Sequence, residues 1–275
     1  MPSVLVTGAG RGIGRAVALR LANSGWTVRA GVRRAEDGDA LKQAGGSIEP
    51  VQLDVTDEGQ VAALRDVLGG RLDAVVNNAG SVVSGPIEAV AVADVRKQFE
   101  LNVVAQVAVT QAVLPLLRES KGRIVFLGSI SGRLATPFTG IYNASKFALE
   151  GLADTLRMEL REWGIRVVLV EPGSIDTDIW RQAHETADEA EAKMTPEHRE
   201  LYASQSASMR KTIAQTQKRT ASPEKVAAAV ERALTAPRPR ARYLVGADAR
   251  AGVALRAALP TPALDAALTR FTNRS

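Results

Sequence analysis

The sequence predicts an α/β fold: one doubly wound parallel sheet with helices on both faces, a three-layer α/β/α arrangement in a single domain. Three observations carry that prediction. Short β-branched runs alternate with longer Ala- and Leu-rich stretches of helical periodicity, the rhythm of strand–helix–strand units. Most of the short runs are apolar on both faces, as strands covered by helices on each side must be. No repeat, low-complexity block or linker interrupts the 275 residues to mark a second domain.

The first strand is expected at Ser3–Thr7 and feeds a helix over residues 12–24. Strands at Thr27–Val32 and over 47–53 follow, then a helix over 57–68. A fourth strand at Ala74–Asn77 leads into a long helical pattern over 92–118, and a fifth over 123–128 leads into another over 142–163. A sixth strand over 166–171, a helix at Pro223–Thr235 and a strand at Arg242–Val245 complete the series. Between residues 174 and 220 the chain turns polar, rich in Glu, Gln, Ser and Thr, with weak helical periodicity. This segment leaves the carboxyl edge of the sheet, where ligands bind in such folds, and reads as a substrate lid or, alternatively, a surface insertion. Residues 247–275 read as a C-terminal helical extension, with two short amphipathic patterns split by Pro260 and Pro262. Packing on the body is expected of it; a pocket cover, a subunit interface and a membrane surface are the alternatives.

Composition narrows the class. Hydrophobic content of 45% and charged content of 24% suit a soluble globule with an ample core. The absence of cysteine excludes disulfides, thiolate nucleophiles and cysteine-bound zinc, and fits a reducing compartment. His184 and His198 lack metal-ligand spacing, so no metal is expected. The amino terminus moves straight into Val4-Leu5-Val6 with no secretory signal, and no run approaches the roughly 20 apolar residues that span a bilayer. A cytoplasmic protein without a membrane span is expected. The net charge of +5 gathers arginines toward the carboxyl end without interleaved aromatics, which argues against a nucleic-acid partner.

The chemistry begins at Thr7-Gly8-Ala9-Gly10-Arg11-Gly12-Ile13-Gly14, directly after the first strand and opening the first helix. Glycines let the backbone turn sharply and approach a pyrophosphate, which the helix amino terminus holds through its free N–H groups. The spacing is Gly-x-x-x-Gly-x-Gly rather than Gly-x-Gly-x-x-Gly, and its context predicts a Rossmann-type dinucleotide site. The second strand ends Gly31-Val32-Arg33-Arg34, without the acid that grips a ribose 2′-hydroxyl. Arg33, Arg34 and Arg11 are instead placed to surround a 2′-phosphate, so NADP(H) is expected over NAD(H). Arginines that merely point into solvent are the plainer alternative. Asp54, ending the third strand, is set either to accept from an adenine amino group or to cap the following helix.

Tyr142 and Lys146 lie four residues apart, which puts both on one helix face. An ammonium beside a phenol favours phenolate, so a tyrosine pKa below the usual value near 10 is expected, as acid–base work near neutral pH requires. Taken with Asn77-Asn78-Ala79-Gly80, Asn102, Ser129, Pro172-Gly173 and Thr177, the chain resembles the short-chain dehydrogenase/reductase family over residues 3–177. Its ending, Tyr243-Leu244-Val245-Gly246 with Ala- and Leu-rich residues beyond, is similar to the branch of hydroxysteroid and retinol dehydrogenases.

That resemblance implies a set of roles. Tyr142 would be the acid or base at the substrate oxygen, and Lys146 would lower its pKa and bond the nicotinamide ribose. Ser129 would stabilise the substrate oxygen, and Asn102 would hold a water linking Lys146 to solvent. The cofactor would lie along Gly8, Arg11, Gly12, Ile13, Gly14, Asp54, Val55, Asn78, Ala79 and Gly80, with Pro172, Gly173, Ile175 and Thr177 at the nicotinamide. A homodimer or homotetramer pairing through the two long helices is implied as well. Ile130, Leu134, Phe138, Ile141, Ile179 and Trp180 flank these positions, and either line an apolar pocket for a hydrophobic carbonyl or alcohol or serve as core and lid packing. A non-catalytic NADP(H)-sensing protein and a lyase or epimerase on the same scaffold are the competing readings.

Overall fold

The computed structural model describes residues 1–272; residues 273–275, the end of the expected extension, lie outside the described residues. The strands are β1 (Ser3–Thr7), β2 (Thr27–Val32), β3 (Ile48–Gln52), β4 (Ala74–Asn77), β5 (Arg123–Leu127), β6 (Arg166–Pro172) and β7 (Arg242–Val245). All pair in parallel, in the order β3-β2-β1-β4-β5-β6-β7. Strand order reverses between β1 and β4, so their carboxyl ends, Thr7 and Asn77, open the crevice in which such sheets bind ligands. Pro50 sits within β3, where an edge strand tolerates its missing N–H.

Alternation along β1 builds the three layers. Val4 and Val6 join a core with Val17 and Leu21 of α1 (Gly12–Asn23) and Val226 and Val230 of a helix near the carboxyl end. Leu5 points the other way, into a core with Phe126, Val109, Val113, Leu117 and Leu149. Period-two side chains on one strand thus feed two separate cores.

The remaining helices follow in order. Helix α2 (Ala35–Gln43), not expected from the sequence, buries only Gly38 and Leu41, so its apolar periodicity is nearly absent. A Cβ on Gly38 would meet Pro50 Cβ at 2.8 Å, so the glycine serves close packing on β3 at a cost in helix propensity. The helix expected over 57–68 is two short ones, α3 (Glu58–Ala62) and α4 (Leu64–Leu68). The long pattern over 92–118 resolves into α5 (Val92–Phe99), a π turn at Glu100–Val104 and α6 (Ala105–Ser120). Contrary to the expectation that no run approaches spanning length, Val92–Ser120 is long and apolar enough by length and composition to cross a membrane. Here its inner face packs on the sheet through Val109, Val113 and Leu117, and its buried Gln98 and Asn102 hydrogen-bond to the loop after β4. It is a core helix of this fold.

The other long helix, α7 (Gly140–Glu159), starts two residues before Tyr142. Residues 174–220 are more helical than their weak pattern implied: α8 (Asp178–Arg181), α9 (Ala183–Ala192), α10 (Pro196–Leu201) and α11 (Ala203–Gln217). Their ends are clipped together, with Ala221 N donating to Ser174 O at 2.9 Å and Asp176 N to Ala221 O at 2.8 Å. After α12 (Pro223–Thr235) and β7 come α13 (Ala247–Ala258) and α14 (Thr261–Thr272). A Cβ on Gly252 of α13 would lie 2.7 Å from Leu134, so α13 seats on the turn that follows β5.

Candidate active site

A cleft of about 710 Å³ runs over the carboxyl ends of the central strands, from the glycine turn to Tyr142 and Lys146. Gly8 (φ +63°) and Gly12 (φ +54°) hold left-handed backbone. Gly14 is fixed by space, since a Cβ there would sit 2.2 Å from Gly8 O. No side chain caps the first N–H groups of α1 and its first turn holds no acid, so the dipole end is open to an anion. These features fit the pyrophosphate of a dinucleotide. Thr7 and Asn78 tie the turn to the end of β4: Thr7 Oγ1 accepts from Asn78 N (2.9 Å) and Ala79 N (3.0 Å), and Asn78 Nδ2 donates to Thr7 O (2.9 Å). Gly80 lies against Asn102, with 3.2 Å between a Cβ built there and Asn102 Oδ1.

The arginines expected around a 2′-phosphate differ in their engagement. Arg34 chelates Asp37 at 3.0 and 2.8 Å, and Arg11 lies 3.5 Å from Asp178. Arg33 makes no salt bridge to another described residue and lines the cleft. Asp37 and Asp178 also line it, and neither was foreseen. The i,i+3 spacing of Arg34 and Asp37 was the available signal, hidden because α2 has no readable periodicity. Asp54 does not cap the next helix. That cap is Asp57, while Asp54 accepts from Thr56 N and Oγ1, and its carboxyl is lowered first by that backbone bond.

Tyr142 and Lys146 project from α7 into the other end of the cleft. Lys146 is 6% exposed, its Nζ donates to Leu127 O at 2.7 Å, and burial lowers its pKa to about 8. Its ammonium stands 5.8 Å from the Tyr142 ring centroid. The expectation that this charge draws the phenol below its ordinary value is not met. Burial raises the Tyr142 pKa, opposed by a hydrogen bond with Ser129. Desolvation outweighs the cation because the ammonium is held on the Leu127 carbonyl rather than on the phenol oxygen. Ser129 Oγ also accepts from Ser131 N at 3.1 Å, capping the short 3-10 turn Ile130–Gly132.

Asn102 is fully buried in the π turn, a distortion common where helices carry function. Its Nδ2 donates to Ser81 O (3.0 Å) and Ser145 Oγ (3.1 Å), and its Oδ1 accepts from Ser81 N (3.0 Å). Gln98, which no motif singles out, brackets the same loop, accepting from Val83 N and donating to Ser81 O. Pro172, Thr177 and Val55 line the cleft, as does Ile13. Gly173 instead packs on the Asp248 carboxylate, where a Cβ would lie 2.2 Å from its oxygen. The Ile175 side chain is buried in the core and does not line the cleft. Leu134 and Ile130 pack on Gly252, whereas Phe138 lines a second groove and Ile179 the main cleft.

A dinucleotide cradle at one end and Tyr142 with the buried Lys146 and Ser129 at the other define an oxidoreductase that moves hydride to or from a nicotinamide. A model of the family described as short chain dehydrogenase matches residues 2–188, and the chain belongs to that family. It is 33% identical to the NADPH-dependent 3-dehydrocapnine reductase of Ornithobacterium rhinotracheale over 89% of this chain and 88% of that protein. It is 36% identical to human 17-beta-hydroxysteroid dehydrogenase type 1 over 87% of this chain and 76% of that one. A solved short chain dehydrogenase from Burkholderia cenocepacia in complex with NADP superposes with a TM-score of 0.76 at 27% identity, covering 97% of each chain. The protein is an NAD(P)-dependent enzyme acting on CH–OH or C=O groups.

Proposed function

We propose that the enzyme interconverts a hydrophobic ketone or aldehyde and its alcohol, uses NADP(H) in preference to NAD(H), and moves the proton through Tyr142. The observation that carries this reading is the Tyr142 phenol, set on one helix with Lys146 at the end of a cleft that begins at the glycine cradle, with Ser129 lowering its pKa against the rise from burial. The nicotinamide supplies or takes the hydride when bound. Gly8, Arg11, Gly12, Ile13 and Gly14 hold the pyrophosphate side, with Asp54, Val55, Asn78, Ala79 and Gly80 along the adenosine. Pro172, Gly173 and Thr177 shape the nicotinamide end.

Tyr142, protonated at neutral pH because burial raises it, donates to the carbonyl oxygen during reduction. Ser129 donates to the same oxygen as negative charge develops on it. Lys146 orients the cofactor ribose and stabilises the phenolate that proton donation leaves. Asn102 holds the Ser81 loop and Ser145, and a water at its side relays protons toward Lys146. Arg33 reads the 2′-phosphate, assisted by Arg34 and Arg11. Arg34 also occupies the Asp37 carboxylate, which would otherwise accept from a free 2′-hydroxyl.

The substrate reading rests on a groove of about 380 Å³ beside the start of α7, lined by Ile87, Pro137, Phe138 and Met209. Phe138 has left-handed backbone (φ +65°), uncommon for a bulky residue, and stands edge-on to Tyr202 at 6.3 Å. Tyr202 comes from the 174–220 segment and donates to Glu88 Oε2 at 2.7 Å, which supports that segment as the lid over the groove. An exposed set along α5 to α7, Val92, Val104, Phe147 and Met158, supports pairing of subunits through these helices, and the absence of cysteine favours a cytoplasmic setting.

Following NADPH absorbance against steroid, retinoid, alkyl and aromatic carbonyls, with NADH in parallel, tests the reading. Turnover of one apolar class with NADPH preferred is expected. Turnover confined to small polar carbonyls, or equal use of NADH, would contradict the substrate or the cofactor part respectively.

A further inference from the structure

Glu171 is the next-to-last residue of β6, immediately before Pro172, and is 0% exposed. Such a carboxyl inside a sheet is costly unless its partners compensate, and Arg133, Arg242 and Glu150 lie against it. Arg133, from the turn after Ser129, reaches Glu171 Oε1 at 3.2 Å and Glu150 Oε2 at 3.9 Å. Arg242, on β7, reaches Glu150 at 3.0 Å, Glu171 at 3.9 Å and Asp154 at 2.7 Å. Glu150 and Asp154 lie on α7, and Asp154 also takes Arg157 at 2.6 Å.

Glu150 and Glu171 share both arginines, Glu150 raises the Glu171 carboxyl, and each keeps one buried oxygen without a donor among the described residues. A single proton between the two carboxyls satisfies both. Glu150 follows Lys146 by one helical turn. Gly132 presses the Ser129 turn onto that same stretch, where an added Cβ would lie 2.9 Å from Lys146 O and 3.3 Å from Glu150 Cγ.

We propose that Glu171 is a positioning residue: sharing one proton with Glu150, it locks together the Ser129 turn, the Tyr142–Lys146 helix and the strand that leads to Pro172. Arg133 and Arg242 are the arms of this clamp, and loss of the shared proton leaves two buried like charges that push the elements apart. Burial raises the Glu171 carboxyl to about 7, with Glu150 adding to the rise and Arg133 opposing it, so the clamp loosens within the physiological range. The proposal rests on Ser129, Tyr142 and Lys146 being the reacting group.

The test compares the wild type with Glu171→Gln and Glu150→Gln in kcat/KM for carbonyl reduction from pH 5.5 to 9, with Tyr142→Phe alongside. A glutamine at 171 keeps the shape and a donor at every pH. The wild type is expected to lose activity with a midpoint near 7, a step that Glu171→Gln lacks while retaining activity within about threefold at pH 6. A merely structural role would lower kcat/KM equally at all pH values and leave the step in place, which would overturn the proposal.

Thermal melting gives a second readout. A carboxyl raised in the folded state stabilises below its unfolded pKa of about 4.5 and loses that contribution as pH rises through about 7. The wild-type Tm therefore falls across this window, and either glutamine variant flattens the fall. An unflattened fall in both would also overturn the clamp. Were Tyr142→Phe to keep its turnover, the underlying reading would fail, independently of what Glu171 does.

Discussion

Lys146 is the residue at which burial and chemistry conflict most directly. A lysine whose pKa falls from 10.5 to about 8 on folding lowers stability at neutral pH by about 3 kcal/mol. The unfolded chain holds that proton more tightly, so this cost is full below pH 8 and fades as pH climbs toward 10.5. Lys146→Met is therefore predicted to abolish turnover while melting no lower than the wild type at pH 7; a clearly lower Tm would show that the amine stabilises the fold. The same value sets an alkaline limit on activity. Carbonyl reduction should decline a second time as pH rises through about 8, when the Lys146 charge is lost, and Glu171→Gln should keep this later step. Cofactor choice is also decided by single side chains. Arg33→Ala should weaken NADPH by about 10- to 100-fold and leave NADH nearly unchanged, as read by titration. Equal losses for both would remove the 2′-phosphate role.

Elements differ in how far their sequence announces them. The glycine turn, Tyr142 with Lys146, and the strands of the central sheet were legible because each obeys a local rule: tight turn, helical spacing or an apolar run. Helix α2 was not, since Gly38 and its acidic residues give a glycine-broken, mostly exposed helix whose reason is contact with Pro50. The upward shift of Tyr142 was equally hidden, because desolvation is a property of the assembled cleft. So was the split of the three arginines, which depends on where Asp37 and Asp178 come to lie. Two predictions belong here. Gly14→Ala should cost cofactor affinity at least about tenfold, because its methyl meets Gly8 O in the turn. Tyr202→Ala should raise KM for apolar carbonyls without altering NADPH affinity; an unchanged KM would argue that α10 and α11 do not close over the groove.

At the scale of the molecule, a parallel sheet with its order reversing between β1 and β4 brings residues more than a hundred positions apart to one crevice. Thr7, Asn78, Ser129, Tyr142 and Thr177 converge there because every strand ends on the same edge. The clipped ends of the 174–220 segment let it leave and rejoin the chain at one point beyond β6. Exposed Phe147 and Met158 on the helix that carries Tyr142 predict a dimer by light scattering, and Met158→Glu should shift it toward monomer. The most direct test of the whole account is Tyr142→Phe, with NADPH binding and kcat/KM on the best carbonyl substrate measured on one preparation. NADPH affinity within about threefold of the wild type and a loss of roughly 10²- to 10⁴-fold in turnover are expected. Near-normal turnover with the cofactor bound would contradict the assignment of Tyr142 as the proton donor.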